Sequence, residues 1–173
     1  VPIAGTEADN RRGDVIFVHG LDGDWRDTWQ NNEGLKIFWP EEVAKAHPEL
    51  GVWCLKYDAH ISDLVGPSMP IQDRAKNLLP QLSLAGIGQR PLVFVAHSLG
   101  GLVVKQMLHD ALTLNNPDWE VIANQTKGVA FLATPHIGSD KADLLDGIRK
   151  AFLPDVASSV AVDQLKHNSR ELR

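Results

Sequence analysis

Apolar residues fall into two kinds of pattern along the chain. Four short runs show no polar alternation: Val15-Ile16-Phe17-Val18, Val52-Trp53-Cys54-Leu55, Leu92-Val93-Phe94-Val95-Ala96 and Gly128-Val129-Ala130-Phe131-Leu132-Ala133. A strand with one wet face alternates polar with apolar, so these unbroken runs predict strands buried on both faces, as in a parallel sheet covered by helices. The segments between them repeat apolar positions every three or four residues instead. Pro40 to His47 predicts a short helix with Glu41 and Glu42 in its first turn, where they complement the helix dipole. Ile71 to about Leu84 places Ala75, Leu78, Leu79 and Leu82 on one side, with Pro80 predicting a kink or an early stop. From Gly101 to Leu114, Val103, Met107 and Ala111 stack beside Val104, Leu108 and Leu112 with no fully polar face, which predicts a deeply buried helix. Lys141 to Phe152 and Ala157 to Arg173, split by Leu153-Pro154-Asp155, are amphipathic helix candidates. Alternating strands and helices imply a doubly wound α/β sheet with right-handed crossovers. Residues 1–13 are expected to be an irregular lead-in, and 1–173 a single domain.

Composition narrows the partners. With 17 Lys and Arg against 22 Asp and Glu in 173 residues, the net charge is −5, and 43% of the residues are hydrophobic. That suffices for one ordinary core, and no basic cluster is present to displace counterions from DNA or RNA, so no nucleic-acid partner is expected. Cys54 is the only cysteine, which excludes an intrachain disulfide and paired-cysteine zinc sites and suits a reducing cytoplasm. His47, His60, His109 and His167 show no ligand spacing, so neither metal nor cofactor is expected. No apolar run approaches the roughly 20 residues that span a bilayer, and Val1-Pro2-Ile3-Ala4 lacks a basic flank and hydrophobic stretch. A first residue other than Met reads as a processed or excised piece of a longer chain.

The candidate chemistry lies at strand ends. Phe94-Val95-Ala96-His97-Ser98-Leu99-Gly100-Gly101 runs a buried strand into a serine with small residues at −2 and +2, and a helix follows at once. This is the pattern of a nucleophile elbow, a strained turn whose bulk-free neighbours let the serine backbone press against adjacent chain. Such a turn lifts Ser98 Oγ into the crevice at the carboxyl end of the sheet, where the helix N-terminus favours a developing oxyanion. The plainer alternative is a serine that only caps the helix. A second segment, Phe17-Val18-His19-Gly20-Leu21-Asp22-Gly23, follows a strand with a glycine-bearing loop. Opposite an elbow, that loop would supply one oxyanion donor, and the main-chain N–H groups of Leu21 and Leu99 are the candidates; as an isolated signal it is equally a tight turn. The third segment, Ala133-Thr134-Pro135-His136-Ile137-Gly138-Ser139, puts His136 on the same rim. His136 is a weak candidate base, with Asp140 or Asp143 only loose candidates to orient it, and a structural role is the competing reading. His19 and His97 read as packed histidines bracing these loops, and Cys54 as an inert buried thiol. Trp25 and Trp29, among Asp22, Asp24 and Asp27, either line an acyl or alcohol pocket or hold their loop by packing.

Together with Phe38-Trp39-Pro40, Tyr57-Asp58-Ala59 and Arg90-Pro91, the ordered segments HGL, HSLGG and TPHIGS resemble the serine esterase branch of the α/β-hydrolase superfamily. The similarity is to serine-active-site-containing and GPI inositol-deacylase-like lipases and runs from about Asp14 onward. It implies an α/β-hydrolase fold, Ser98 as nucleophile, an oxyanion loop at Leu21, an acyl-enzyme intermediate, and an acyl-ester or lipid substrate met in the cytoplasm or at a membrane periphery. Related domains lead NACHT or STAND signalling ATPases, so the alternative is a non-catalytic interaction or effector module with fused or partner signalling domains.

The resemblance also implies a triad acid and then a histidine after two further strands. No strand-like run follows Ala133, so those C-terminal strands are expected to be missing, through truncation or divergence with loss of catalysis. A serine without its base is a poor nucleophile, and the isolated piece is expected to be nearly inactive. An unpaired apolar edge at Gly128 to Ala133 would invite self-association.

Overall fold

The computed structural model describes residues 1–31, 34–59 and 71–134. The chain divides into two compact units, Val1–Thr134 and Pro135–Arg173, and all described residues belong to the first. The expected helices over 141–152 and 157–173, and the single-domain reading of 1–173 as a whole, therefore extend outside the described residues.

Five strands form one sheet: β1 (Pro2–Ala4), β2 (Gly13–Val18), β3 (Leu50–Leu55), β4 (Leu92–His97) and β5 (Thr126–Leu132). Their order is β1-β3-β2-β4-β5, parallel except for β1, which pairs antiparallel with β3. The helices are α1 (Trp39–Ala46), α2 (Ile71–Leu84), α3 (Leu99–Thr113) and α4 (Pro117–Gln125). From β2 the chain moves outward to β3, and from β4 it moves outward the other way to β5. The connections thus diverge between β2 and β4, the switch point at which sites of parallel α/β sheets usually form. Topology alone puts the loop after residue 18 beside the turn after residue 97.

Alternate residues of the central strands feed two cores, because successive side chains point to opposite faces. Ile16, Val18, Phe94 and Ala96 pack with Ala75, Leu78, Leu79 and Leu82 of α2 and Val103, Val104, Met107 and Ala111 of α3. Phe17, Val52 and Cys54 pack on the other face with Trp29 and Phe38, beside Val43 and Ala44 of α1. Each fully buried side chain of this size contributes roughly 1.5–3 kcal/mol. That explains why Pro80 does not end α2, as its lost hydrogen bond and ring clash would cost about 3 kcal/mol in isolation. Pro80 is itself exposed, and Lys76, to whose carbonyl it cannot donate, is also on the wet side.

Several expectations need correction. Residues 1–13 are not wholly irregular, since Pro2–Ala4 forms β1, and the Val1 ammonium donates to Cys54 O at 2.8 Å. The helix α3 is deeply buried but not at every apolar position: Val103, Val104, Met107 and Ala111 are enclosed, whereas Leu112 is 57% exposed. The strand β5 is not buried on both faces; it is only partly covered, with Lys127 and Ala130 exposed, because among the described residues it pairs with β4 alone.

The helix α4 was not legible in the apolar pattern, having one fully buried residue, Ile122. Its start is set by polar chemistry: Asn116 accepts from Asp118 N–H at 3.0 Å, Pro117 follows, and Asp118 and Glu120 occupy the first turn. Asn116→Ala is expected to cost about 1 kcal/mol, seen as a lower urea midpoint at unchanged slope. Among the described residues no helix is long and apolar enough to cross a membrane.

Candidate active site

Ser98 stands at the carboxyl end of β4 as the residue preceding α3. Its backbone is at φ 50°, ψ −125°, a region that L-residues rarely occupy and that stores about 1–3 kcal/mol of strain. An ordinary N-cap serine is extended and gives its oxygen to a helix N–H; Ser98 does neither, and its side chain makes no capping hydrogen bond. The strained conformation is locked by the main chain, with Ser98 N–H donating to Leu132 O at 2.8 Å and Ser98 O accepting from Gly101 N–H at 3.1 Å. Small neighbours make the bend fit. A methyl on Gly100 would run into the carbonyl oxygens of Val18 and His19, one on Gly101 into Thr134, and Ala96 is fully buried.

The loop after β2 lies directly against this turn, for a methyl on Gly20 would stand 2.8 Å from Ser98 Cβ. Its peptide groups are held one by one. Gly20 O accepts from Gly23 N–H at 3.2 Å and from the His19 ring at 3.0 Å, and Asp22 N–H donates to Ala59 O at 2.7 Å. A carbonyl can only accept, so His19 carries its proton on Nδ1. Strain gathers on this rim. Of the described non-glycine residues at positive φ, Asp22 (48°), Ser98 (50°) and Ala133 (52°) each lie just past a carboxyl strand end, and Asn115 (52°) follows α3.

Ser98 is 2% exposed, so its hydroxyl is enclosed rather than presented openly to solvent, contrary to the simplest picture of an elbow. The aromatic residues between β2 and α1 pack on one another and, through Trp29, on His97. Trp29 meets Phe17 edge-on at 5.0 Å, stacks on Trp39 at 6.4 Å, and stands edge-on to His97 at 6.3 Å. Trp25 meets Phe38 at 6.4 Å, and Arg26 lies over the Phe38 ring at 5.0 Å. Packing therefore holds this loop. Cys54 is inert by the same logic of burial, which pushes its thiol up to about 12.

Burial also holds His19 and His97 below the ordinary imidazole value of 6.5; for His19 the Gly20 carbonyl, Asp24 and the Tyr57 main chain offset it in part. A group whose folded value is depressed in this way binds its proton more readily when unfolded. Its contribution is complete above pH 6.5 and is lost as the pH falls below it. Urea stability is expected to decline below that pH, and less steeply in His19→Gln.

The structure brings together Ser98, Leu21 and Leu99 on one rim, beside His19 and His97. His136, Asp140 and Asp143 lie outside the described residues. Sequence reasoning gave no role to Tyr57, although Tyr57 OH donates to His19 O at 2.6 Å and its ring stacks on His19 at 4.3 Å. The signal was the parallel register, in which Val18 pairs with Leu55 and so carries Tyr57 level with Gly20.

A mostly parallel sheet, a strained strand-serine-helix turn and an abutting His-Gly loop define an α/β-hydrolase type of domain. Residues 72–173 match the family described as "Putative serine esterase (DUF676)", and the chain belongs to that family. Among curated proteins it is similar to Protein SERAC1 of Danio rerio, 34% identical over 184 residues, and of Homo sapiens, 33% identical over 181 residues. Each alignment covers 94% of this chain and 27% of the relative, so the chain spans about a quarter of the relatives' length.

Proposed function

We propose that this chain carries the nucleophile and oxyanion side of a serine carboxylic-ester hydrolase. Ser98 Oγ would attack the acyl carbonyl of an ester while a general base takes its proton. The tetrahedral oxyanion would be met by the N–H groups of Leu21 and Leu99, each such donor being worth about 3 kcal/mol of barrier. Collapse would expel the alcohol and leave an acyl-serine, which water would then hydrolyse. His19 is a poor candidate for the base, since burial opposes the imidazolium that a base must become, and among the described residues no hydrogen bond joins its ring to Ser98. The reading gives proton transfer to a histidine outside the described residues; His136 is the candidate within this chain.

The observation that carries this reading is the strained backbone of Ser98 combined with the absence of any capping bond. Strain of this kind persists where the surroundings enforce it, and a serine that merely began a helix would have no use for it. The enclosure of Ser98 is the observation that favours the second reading, a non-catalytic interaction module retaining the fold.

Ester hydrolysis separates the two. The full-length protein is expected to turn over p-nitrophenyl acetate, butyrate or laurate above the rate of Ser98→Ala. Equal rates for all three esters would leave the interaction module as the better reading.

A further inference from the structure

We propose that Tyr57 is a positioning residue, clamping His19 by a ring stack and a hydrogen bond so that the Leu21 N–H faces Ser98. This deepens the esterase reading and rests on it for the role of Leu21.

The placement follows from register. Beyond the paired Val18 and Leu55, the loop after β2 and the segment after β3 continue side by side, as Asp22 N–H reaching Ala59 O shows. The hydroxyl of Tyr57, two residues past β3, meets the first carbonyl beyond β2, that of His19, at 2.6 Å. That carbonyl also faces Gly100, where any side chain would collide with it. His19 O is thus held from one side by Tyr57 and abutted from the other by the first turn of α3.

The second contact acts on the next peptide. The phenol ring lies at 20° to the imidazole, 4.3 Å away, and keeps Nδ1–H of His19 aimed at Gly20 O. All described peptide bonds are trans, so Gly20 O and Leu21 N–H point in opposite directions across one rigid plane. Fixing the oxygen toward His19 and Gly23 fixes the hydrogen away from them. The direction of the donor is therefore set by a side chain two strands from the serine.

The test compares Tyr57→Phe, which keeps the ring and removes the hydroxyl, with Tyr57→Leu, which removes both. Trp53→Phe serves as control: it loses a hydrogen bond to Asp14 Oδ1 of 2.9 Å at the opposite end of the same strands. In the full-length protein, Tyr57→Phe is expected to lower kcat for a soluble ester about tenfold at unchanged KM, and Tyr57→Leu further. Trp53→Phe should keep the wild-type kcat. Hydrogen exchange of Gly23 N–H, which donates to Gly20 O, should quicken about tenfold in Tyr57→Phe and stay unchanged in Trp53→Phe. Unchanged Gly23 exchange in Tyr57→Phe overturns the clamp whatever the activity. So does a kcat that stays at wild type or falls equally in Trp53→Phe. A wild type that hydrolyses no ester, with Gly23 exchange quickened by Tyr57→Phe, sinks the esterase reading and leaves the clamp standing.

Discussion

Gly100→Ala is expected to lower both stability and activity, although helix propensity alone argues the reverse. Replacing glycine by alanine inside a helix ordinarily gains about 1 kcal/mol. Here the new methyl would enter the space of two main-chain oxygens, those of Val18 and His19. The strand β2 lies between β3 and β4 and cannot retreat without breaking two ladders. Overpacking against such a wall costs about 1–3 kcal/mol, and against backbone the upper end applies, so the clash outweighs the propensity. Whatever shift relieves it moves His19 and the loop to Leu21, and a displacement near 1 Å in a catalytic constellation costs about 10²-fold in rate. Gly128→Ala is the matched control: its new methyl would meet no atom of the described residues within 4 Å, and stability should stay within about 0.5 kcal/mol. Urea unfolding and ester turnover on the two variants check the expectation. A Gly100→Ala protein as stable and active as wild type would show that elbow and loop are not held at contact distance.

Substitutions of Ser98 should separate stability from activity. Ser98→Ala and Ser98→Gly both remove the hydroxyl and are expected to reduce turnover about 10⁴-fold or more, the scale on which loss of a serine nucleophile acts. Their stabilities should differ. Alanine at φ 50°, ψ −125° is as strained as serine, whereas glycine occupies that region freely. Relief of strain exceeds the entropy that glycine loses on folding, so Ser98→Gly should be about 1 kcal/mol more stable than Ser98→Ala. Thermal or urea denaturation of the pair measures this directly. Equal stability would mean that the bend stores no strain and would remove the physical signature on which the functional reading rests.

How much could be read from the sequence depended on how local each determinant is. The strands β2, β3 and β4 were legible because burial on two faces leaves unmixed runs such as Val15 to Val18. The same run at β5 misled, because composition does not reveal how many neighbours cover a strand, and among the described residues β5 pairs with β4 alone. Three-residue β1 and single-anchor α4 carry too few apolar positions to form a pattern. At the candidate site, Ser98 and Gly100 stood out because close approach of main chains demands small residues beside the serine in sequence, and Gly20 because a glycine follows the end of a strand-like run. Tyr57 and Ala59 could not, as their contacts with His19 and Asp22 arise from the pairing of distant strands. The enclosure of Ser98 was likewise invisible, being a property of everything packed around it.

The most direct measurement is covalent capture of the full-length protein by a small fluorophosphonate, followed by mass-spectrometric mapping of the adduct. The expected result is one phosphonyl group on Ser98, absent from Ser98→Ala and slowed in Gly100→Ala. An adduct on another residue, or none while a control serine esterase is fully labelled, would contradict the assignment of Ser98 as the nucleophile.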